Sequence, residues 1–555
     1  MREKKANVQQ LFPSEDGNPQ TRQIFMKLIE QIVTGADELK NPDGVNLKGE
    51  KNRSGHFYNN LIRESAIPHG SIPMEEVNVE LLKLLHDHPY HTKYFLTNIL
   101  PMASLPGILG MITAFMVNGN NLWDVYGPAG AEAEVRVTSM MSKLIGYDAL
   151  QSGGYTTWGG QGAVFSGLRL AIAKYAPDAL QKGVPNNLYA FCSEAAHYSL
   201  FKSMEASGIG SDRLIRIRTH ADSSMDVDDL AIKQSEVIAQ GGIPIYIVAT
   251  TGTTDAMGID DVAHIYEVSS QLANQHGLSR PHIHADSALG GFFAFFNDYD
   301  FDVNPLAFSQ EVVQALIAIQ SKMKHLHMAD SLCFDFQKLG QTPYLTSLFL
   351  VKDAADLRLM DLHPDETPYV GHRGYGQYHT GYTLECSRMA SSISIYSALL
   401  AFGIQGYQQL LAQFVEVNLT FRAALKREIP QVEIVNDDNP GIITLFRIYP
   451  DSKPGFQAEI SGTCTLKEIE RNNKFNERLF EMLGDHRDRI FFGDTKKHLL
   501  VQTKDDSSIA LYATKIFVIS PYTETRHVEE IIQYLKTTIT QVYEKYSESS
   551  MLSRR

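Results

Sequence analysis

The chain has 555 residues, of which 43% are hydrophobic and 21% charged, the composition of a soluble globular protein with material for two or three packed regions. Its formal net charge of −14 opposes adhesion to nucleic acid or to anionic membranes, which need clustered lysine and arginine, so neither is expected as a partner. An anionic ligand must then be held by local dipoles rather than by the overall field.

In chain order, the opening MREKKANVQQLFPSEDG has no apolar leader core, and no stretch reads as long and apolar enough for a membrane span. Cys192, Cys333, Cys386 and Cys464 are widely spaced, and most sit in or beside apolar runs. Reduced thiols in a cytoplasmic protein are therefore expected, with neither a disulfide framework nor a C-x-x-C metal pair. Residues 1–100 read as an N-terminal helical arm, with the amphipathic run TRQIFMKLIEQIVTGADEL followed by a polar loop, KNPDGVNLKGEKNRSG, expected to be mobile. The histidines of HDHPYHTKYF (His86, His88, His91) lack a helical H-x-x-x-H with a further ligand, which favours a structural or substrate-entrance role. No metal site is expected.

Residues 101–384 alternate short and long apolar runs. Helices are predicted near 131–145 and 160–175, after His197, and at 226–240 and 259–276; strands are predicted at LYAFCS, LIRIRTH, IPIYIVAT, HIHAD, ADSLCFD and SLFLVK. Such alternation predicts a large, mostly parallel sheet sandwiched by helices. From 385 to 555 the texture changes. A long helix over SRMASSISIYSALLAFG precedes strands VEIVND, ITLFRIY, HLLVQT and KIFVIS separated by helices, which predicts a smaller C-terminal α+β domain ending in a frayed SESSMLSRR.

Several stretches carry chemistry. YTTWGGQGAVFSGLRLAIAK is a Gly-rich turn entering an amphipathic helix, where the amides of Gly160, Gln161 and Gly162 are placed to bind an anion. His197 follows a strand in SEAAHYSLFKSMEASGIG. ATTGTTDAMGIDDV opens a buried strand into a threonine-rich turn containing Thr254, with Asp260 or Asp261 read as the cap of the next helix. In HIHADSALGG, Ile283 and Ala285 share one strand face and His282, His284 and Asp286 the other. Asp286 thus stands at a strand's carboxyl end, where open α/β sheets bind ligands, and a carboxylate there needs a positive partner. In ADSLCFDFQKLGQTPY, Lys338 lies just beyond a strand end, and an amine held there can form a Schiff base.

Strand-Asp-Ser-Ala-Leu-Gly-Gly followed by strand-Asp-Phe-Gln-Lys resembles the pyridoxal-phosphate-dependent group II amino acid decarboxylases, whose patterns are H-x-D-x-A-x-G-G and D-x-H-K. The resemblance covers about residues 80–410. It implies a type I PLP-dependent transferase fold, aspartate aminotransferase-like, in which residues 101–384 form the large PLP-binding domain. Pyridoxal 5'-phosphate is the implied cofactor: Lys338 carries it, Asp286 pairs with the pyridinium, Ala288 lies under the ring and His197 stacks on the opposite face. The 160–162 segment supplies the phosphate cup, and Thr254 bonds the cofactor or the surroundings of Asp286.

Gln337, counted with the cofactor-binding positions, replaces the histidine that precedes the family's lysine, and Gln161 replaces a Ser or Thr of the phosphate cup. YGPAGAEAEVRV resembles the family's entrance motif, with Gly127 and Ala131 in place of hydroxyl residues and Glu134 retained as a structural acid. Arg388 matches the family's S-R, supporting the site or anchoring a carboxylate. HPDETPYVGHRGYGQYHTGYT stands where the family has a mobile catalytic loop; Tyr369 is the candidate proton donor, with Tyr375 and Tyr378 as rivals. The insert EVVQALIAIQSKMKHLHM and the K-x-G-x-x-P-Y run make the chain similar to bacterial tyrosine decarboxylases. The implied activity is that of a carboxy-lyase turning an L-amino acid, aromatic and tyrosine-like, into its amine and carbon dioxide. An acidic substrate (glutamate or aspartate) and a catalytically silent paralogue with a binding role are the alternatives. A homodimer is also implied.

Overall fold

The computed structural model describes residues 8–51, 53–362, 366, 378–385, 387–449, 455–484, 489–496 and 498–552. The chain divides into two compact units, one of residues 1–95 with 485–491 and the other of residues 96–484 with 492–555.

In the first unit, Asn18 caps the helix Pro19–Leu39 by accepting from the amides of Gln20 and Thr21, with Pro19 at the position where its missing N–H costs nothing. This helix packs on Met74–Leu84, where the buried Asn78 donates to the Leu28 carbonyl at 3.0 Å. The loop expected to be mobile is partly fixed. Val45 is fully buried, and Asn46 forms a β-bridge with Pro89 that holds the middle of the loop in place.

The second unit is built on a seven-stranded sheet: β1 (Gly153–Thr157), β2 (Leu188–Ser193), β3 (Leu214–Ile217), β4 (Ile243–Thr250), β5 (His282–Asp286), β6 (Ser331–Asp335) and β7 (Ser347–Val351), in the order β1-β7-β6-β5-β4-β2-β3. The pairs among β2 to β6 are parallel, and the two pairs that involve β7 are antiparallel. Runs such as IPIYIVAT are apolar on both faces because helices cover both sides of a parallel sheet. Strand β1 was not foreseen, since Gly-Gly-Tyr-Thr-Thr has no apolar alternation. Its glycines have a packing reason: a Cβ on Gly154 would stand 2.2 Å from the Phe349 carbonyl, so only glycine lets β1 close on β7.

The parallel strands bring their carboxyl ends to one edge. Thr250, Asp286 and Cys333 are register partners across β4, β5 and β6. The predicted helices over 131–145, 160–175 and 226–240 are found as Pro128–Ile145, Gly160–Tyr175 and Val227–Ala239, and the 311–328 insert contains the helix Gln310–Met323.

Beyond the large sheet, the helix expected over SRMASSISIYSALLAFG extends across Met389–Glu428, broken in direction at Gly403, whose φ of 58° lies in the left-handed half of backbone space. Contrary to the sequence expectation, this helix is long and apolar enough by composition to cross a membrane. In the fold it packs on the helices Leu105–Val117 and Pro128–Ile145 and on the C-terminal helix Val528–Leu552. The C-terminal sheet is antiparallel, with Phe491–Thr495, Ala513–Phe517, Ile443–Ile448 and Val432–Ile434 side by side in that order. Helix Val528–Leu552 takes in most of the tail expected to fray. Cys192 and Cys333 are buried free thiols and Cys464 a half-buried one; Cys386 lies outside the described residues.

Candidate active site

A small cleft opens at the carboxyl edge of the large sheet, and Lys338, Asp286, His197, Ala288, Thr254, Gly160 and Gln161 all line it. They arrive from five places: the turn after β6 (Lys338), the end of β5 and the residues just after it (Asp286, Ala288), the loop after β2 (His197), the loop after β4 (Thr254) and the start of the Gly160–Tyr175 helix (Gly160, Gln161). The amine and the acid on which the sequence reading rests therefore face one space.

Lys338 sits one turn beyond β6, its amide donating to the Asp335 carbonyl at 2.9 Å. Its ammonium is 3.0 Å from Asp335 Oδ2, with the lysine side chain 19% and the aspartate 3% exposed. Burial disfavours the charge on Lys338, but the carboxylates of Asp335 and then Asp286 outweigh it and hold its pKa above the ordinary lysine value. In the sequence, Asp335 is marked only by its place three residues before the lysine.

Asp286 is 8% exposed. Its Oδ1 accepts from the Ala288 amide at 3.3 Å and from the Cys333 thiol at 3.2 Å, and it has no cation partner among the described residues. A buried carboxylate with two weak donors on one oxygen is a ready partner for a protonated ring nitrogen.

His197 Nδ1 accepts from the Ser199 amide at 3.2 Å, which places the proton of the neutral ring on Nε2. Burial lowers the His197 pKa and prevails over the opposing pull of Asp286. Thr250 and Ser199, which the sequence reading passed over, also line the cleft. Thr250 Oγ1 is buried without a hydrogen-bond partner among the described residues.

Two of the expected positions lie off the wall. The Gly162 amide is already spent on the Gly159 carbonyl at 2.9 Å, while the amides of Gly160 and Gln161 have no such partner among the described residues. Gln337 is buried behind the site, its Oε1 accepting from the Thr346 amide at 2.9 Å. Thr254 reaches the cleft, whereas the backbone of Asp286 is held by Thr251, whose amide donates to its carbonyl at 2.9 Å. Tyr369 and Tyr375 lie outside the described residues.

Of the two candidate caps one is found, and Asp260 and Arg388 take roles inside the fold. Asp261 caps the next helix by accepting from the His264 amide at 3.1 Å, but Asp260 does not. Asp260 is fully buried and accepts from the amides of Thr250 and Met225, both at 2.7 Å; burial pushes its pKa up to about 7. Arg388 forms a buried ion pair with Glu134 at 2.9 Å and spends its remaining donors on Thr380, Thr383 and the Glu385 carbonyl. It supports the fold and has no donor left for a substrate carboxylate. Tyr378, the rival proton donor, donates its hydroxyl to the same Glu134.

The donor set fits a pyridoxal phosphate group. There is an amine for its aldehyde, an acid for its ring nitrogen, an imidazole and a methyl for its faces, and two open amides at a helix start for its phosphate. Gly160 shapes this cradle, since a Cβ there would come within 3.0 Å of both Asp335 carboxylate oxygens and 3.3 Å of the Ala288 methyl. The sequence profile of the pyridoxal-dependent decarboxylase conserved domain matches residues 84–448.

The chain belongs to the pyridoxal-dependent decarboxylase family.

Within this family it is 25% identical over 371 residues to an L-2,4-diaminobutyrate decarboxylase of Acinetobacter baumannii, covering 62% of this chain and 66% of that protein. It is also 25% identical over 317 residues to an L-tyrosine decarboxylase of Enterococcus faecium, covering 52% and 48%. The aligned stretch thus spans from half to two thirds of these relatives. Among solved structures, Catharanthus roseus tryptophan decarboxylase in complex with L-tryptophan superposes with a TM-score of 0.73 at 17% identity, covering 96% of this chain and all of that one. The expected α/β fold of the pyridoxal-dependent decarboxylases is therefore the fold found, and pyridoxal phosphate is the family's cofactor.

Proposed function

We propose that this chain decarboxylates an L-amino acid, releasing carbon dioxide and the corresponding amine. The observation that carries the reading is that Lys338 and Asp286 line one cleft together with His197 and Ala288. When bound, the cofactor supplies the electron sink for the pair left behind as the carboxylate departs.

The chain's own residues do the rest. Lys338 would hold the cofactor through its amine, and Asp335, 3.0 Å away, provides the counter-charge for the free ammonium. Asp286 keeps a proton on the ring nitrogen, without which the sink is weaker. The Gly160 and Gln161 amides grip the phosphate. His197, on the cleft wall, would cover one face of the ring and carries its own proton on Nε2. Proton delivery to the α-carbon is assigned to Tyr369, on the resemblance of its loop. Positioning of this kind is worth roughly 7–11 kcal/mol in favourable intramolecular cases.

We further propose an aromatic, tyrosine-like substrate, supported by the insert that forms helix Gln310–Met323 and by the K-x-G-x-x-P-Y run from Lys338 to Tyr344. The active form is proposed to be a homodimer in the cytoplasm. The helix Leu105–Val117 supports the dimer: Leu105, Leu109, Phe115 and Val117 are each at least 60% exposed, an apolar strip suited to a second copy.

A carbon dioxide release screen over the twenty amino acids with added pyridoxal phosphate tests the reading. Release from tyrosine or another aromatic supports it, and release from glutamate or aspartate alone replaces the substrate assignment. Protein that stays colourless with the cofactor and releases nothing overturns the enzyme reading in favour of a silent paralogue.

A further inference from the structure

The turn that brings Thr254 to the cleft is fastened from the side facing away from it. Residues 252–258 close tightly on themselves: the amides of Gly252 and Thr253 donate to the Gly258 carbonyl at 3.0 and 2.9 Å, and the Gly258 amide returns a bond to Thr253 Oγ1 at 2.8 Å. At the tip, the Asp255 carboxylate accepts from Lys515 Nζ and from Thr495 Oγ1, both at 2.8 Å. The next carbonyl, of Ala256, accepts from the side-chain amides of Asn436 and Asn439 at 3.3 and 3.0 Å.

Lys515 is an anomaly in its own strand. Ala513–Phe517 is buried throughout, and the Lys515 side chain is 7% exposed, a place where lysine is found only when paired. Its register partner on the neighbouring strand is Gly493, where a Cβ would come within 3.0 Å of Lys515 Cγ and Cε. Glycine at 493 is required first by the Thr97 carbonyl, 2.0 Å from where a Cβ would stand, and it also leaves the lysine stem room to cross the strand to Asp255. Adjacent residues of one turn thus divide their work, Thr254 on the cleft wall and Asp255 locked to the C-terminal sheet.

We propose that Lys515 is a positioning residue for the cofactor: through its ion pair with Asp255 it fixes the turn that presents Thr254, so that the C-terminal sheet governs how tightly pyridoxal phosphate is retained. This rests on Thr254 being a cofactor contact. Because the turn is short and internally bonded, a shift of Asp255 is passed to Thr254 rather than absorbed between them. Lys515 touches neither cofactor nor substrate.

The test measures the dissociation constant for pyridoxal phosphate by absorbance titration of the stripped full-length protein, alongside its unfolding midpoint. Lys515→Met and Asp255→Asn are each expected to weaken binding by about tenfold, the double variant by no more than either alone, and Lys515→Arg to restore most of it. Thr495→Val, which keeps the ion pair, is expected to weaken binding by about threefold and serves if Lys515→Met does not fold. A lower unfolding midpoint with an unchanged dissociation constant in Lys515→Met, Asp255→Asn and Thr495→Val overturns the proposal. If Thr254→Val weakens binding while those variants do not, the inference fails and the Thr254 reading stands. If Thr254→Val itself binds like the parent protein, the Thr254 reading fails and the proposal with it.

Discussion

Lys338 Nζ lies 3.0 Å from Asp335 Oδ2, on the turn that leaves the same strand, so the amine's immediate counter-ion is Asp335, while Asp286 has no cation partner among the described residues. The two acids are thus in different situations: one is paired with the ammonium, and the other is left open for the ring nitrogen that the proposed function assigns to it.

Asp335→Asn should therefore alter how the protein takes up its cofactor. The Lys338 pKa is raised in the folded state, mainly by Asp335 working against burial, and only the neutral amine attacks the aldehyde. The rate of loading should rise with pH in the parent protein, and in Asp335→Asn the same profile should move to lower pH. Lys338→Ala should lose both the visible absorbance of the loaded protein and carbon dioxide release, and a profile unmoved in Asp335→Asn would count against the pairing.

Gln161→Ser restores a hydroxyl where the resembling family has one, at the start of the Gly160–Tyr175 helix beside two open amides. One extra donor to a bound phosphate is worth about 1 kcal/mol. Pyridoxal phosphate should bind roughly fivefold more tightly in this variant, as read by absorbance titration.

Stability should depend on pH through two imidazoles buried in β5. Burial lowers the pKa of His282 to about 3 and of His284 to about 4, and both share the Ser331 hydroxyl at 2.8 Å. Depressed pKa values mean that the unfolded chain binds more protons than the folded one from about pH 6.5 down to about 4 for His284 and about 3 for His282, so stability is intact above that window and falls as pH drops through it. His284 alone accounts for about 3 kcal/mol across the window. His284→Phe should flatten the slope of unfolding free energy against pH in urea titrations.

Glu134 and Arg388 are 1% and 2% exposed, and removing one partner leaves the other charge buried. Glu134→Gln should cost about 3–5 kcal/mol in urea unfolding. Arg388→Lys should lower the unfolding midpoint while leaving KM for the amino acid unchanged, since none of the arginine's donors is free for substrate.

Much of this was legible before the fold. The strands IPIYIVAT and HIHAD are found at the predicted bounds, the first because a doubly buried strand is written as a nearly unbroken apolar run and the second because Ile283 and Ala285 alternate with polar residues at period two. Lys338, Asp286, His197 and Ala288 meet in one cleft as their motif order implied. What escaped notice was set by partners distant in sequence. Gly153–Thr157 is a strand because β7 accepts it, and nothing local announces it. Asp260 and Asp261 are adjacent and chemically identical; burial beneath Thr250 and Met225, visible only in three dimensions, makes one an interior acid and the other a cap. The role of Arg388 likewise depended on Glu134, 254 positions away.

The bend at Gly403 limits how the catalytic region and the C-terminal sheet can rearrange. With φ 58° and ψ −172°, this residue occupies a conformation that essentially only glycine adopts, and on either side of it the residues of Met389–Glu428 are helical. Any hinged swing that preserves both helical arms must pivot on that single peptide, which makes residue 403 an articulated joint between two levers.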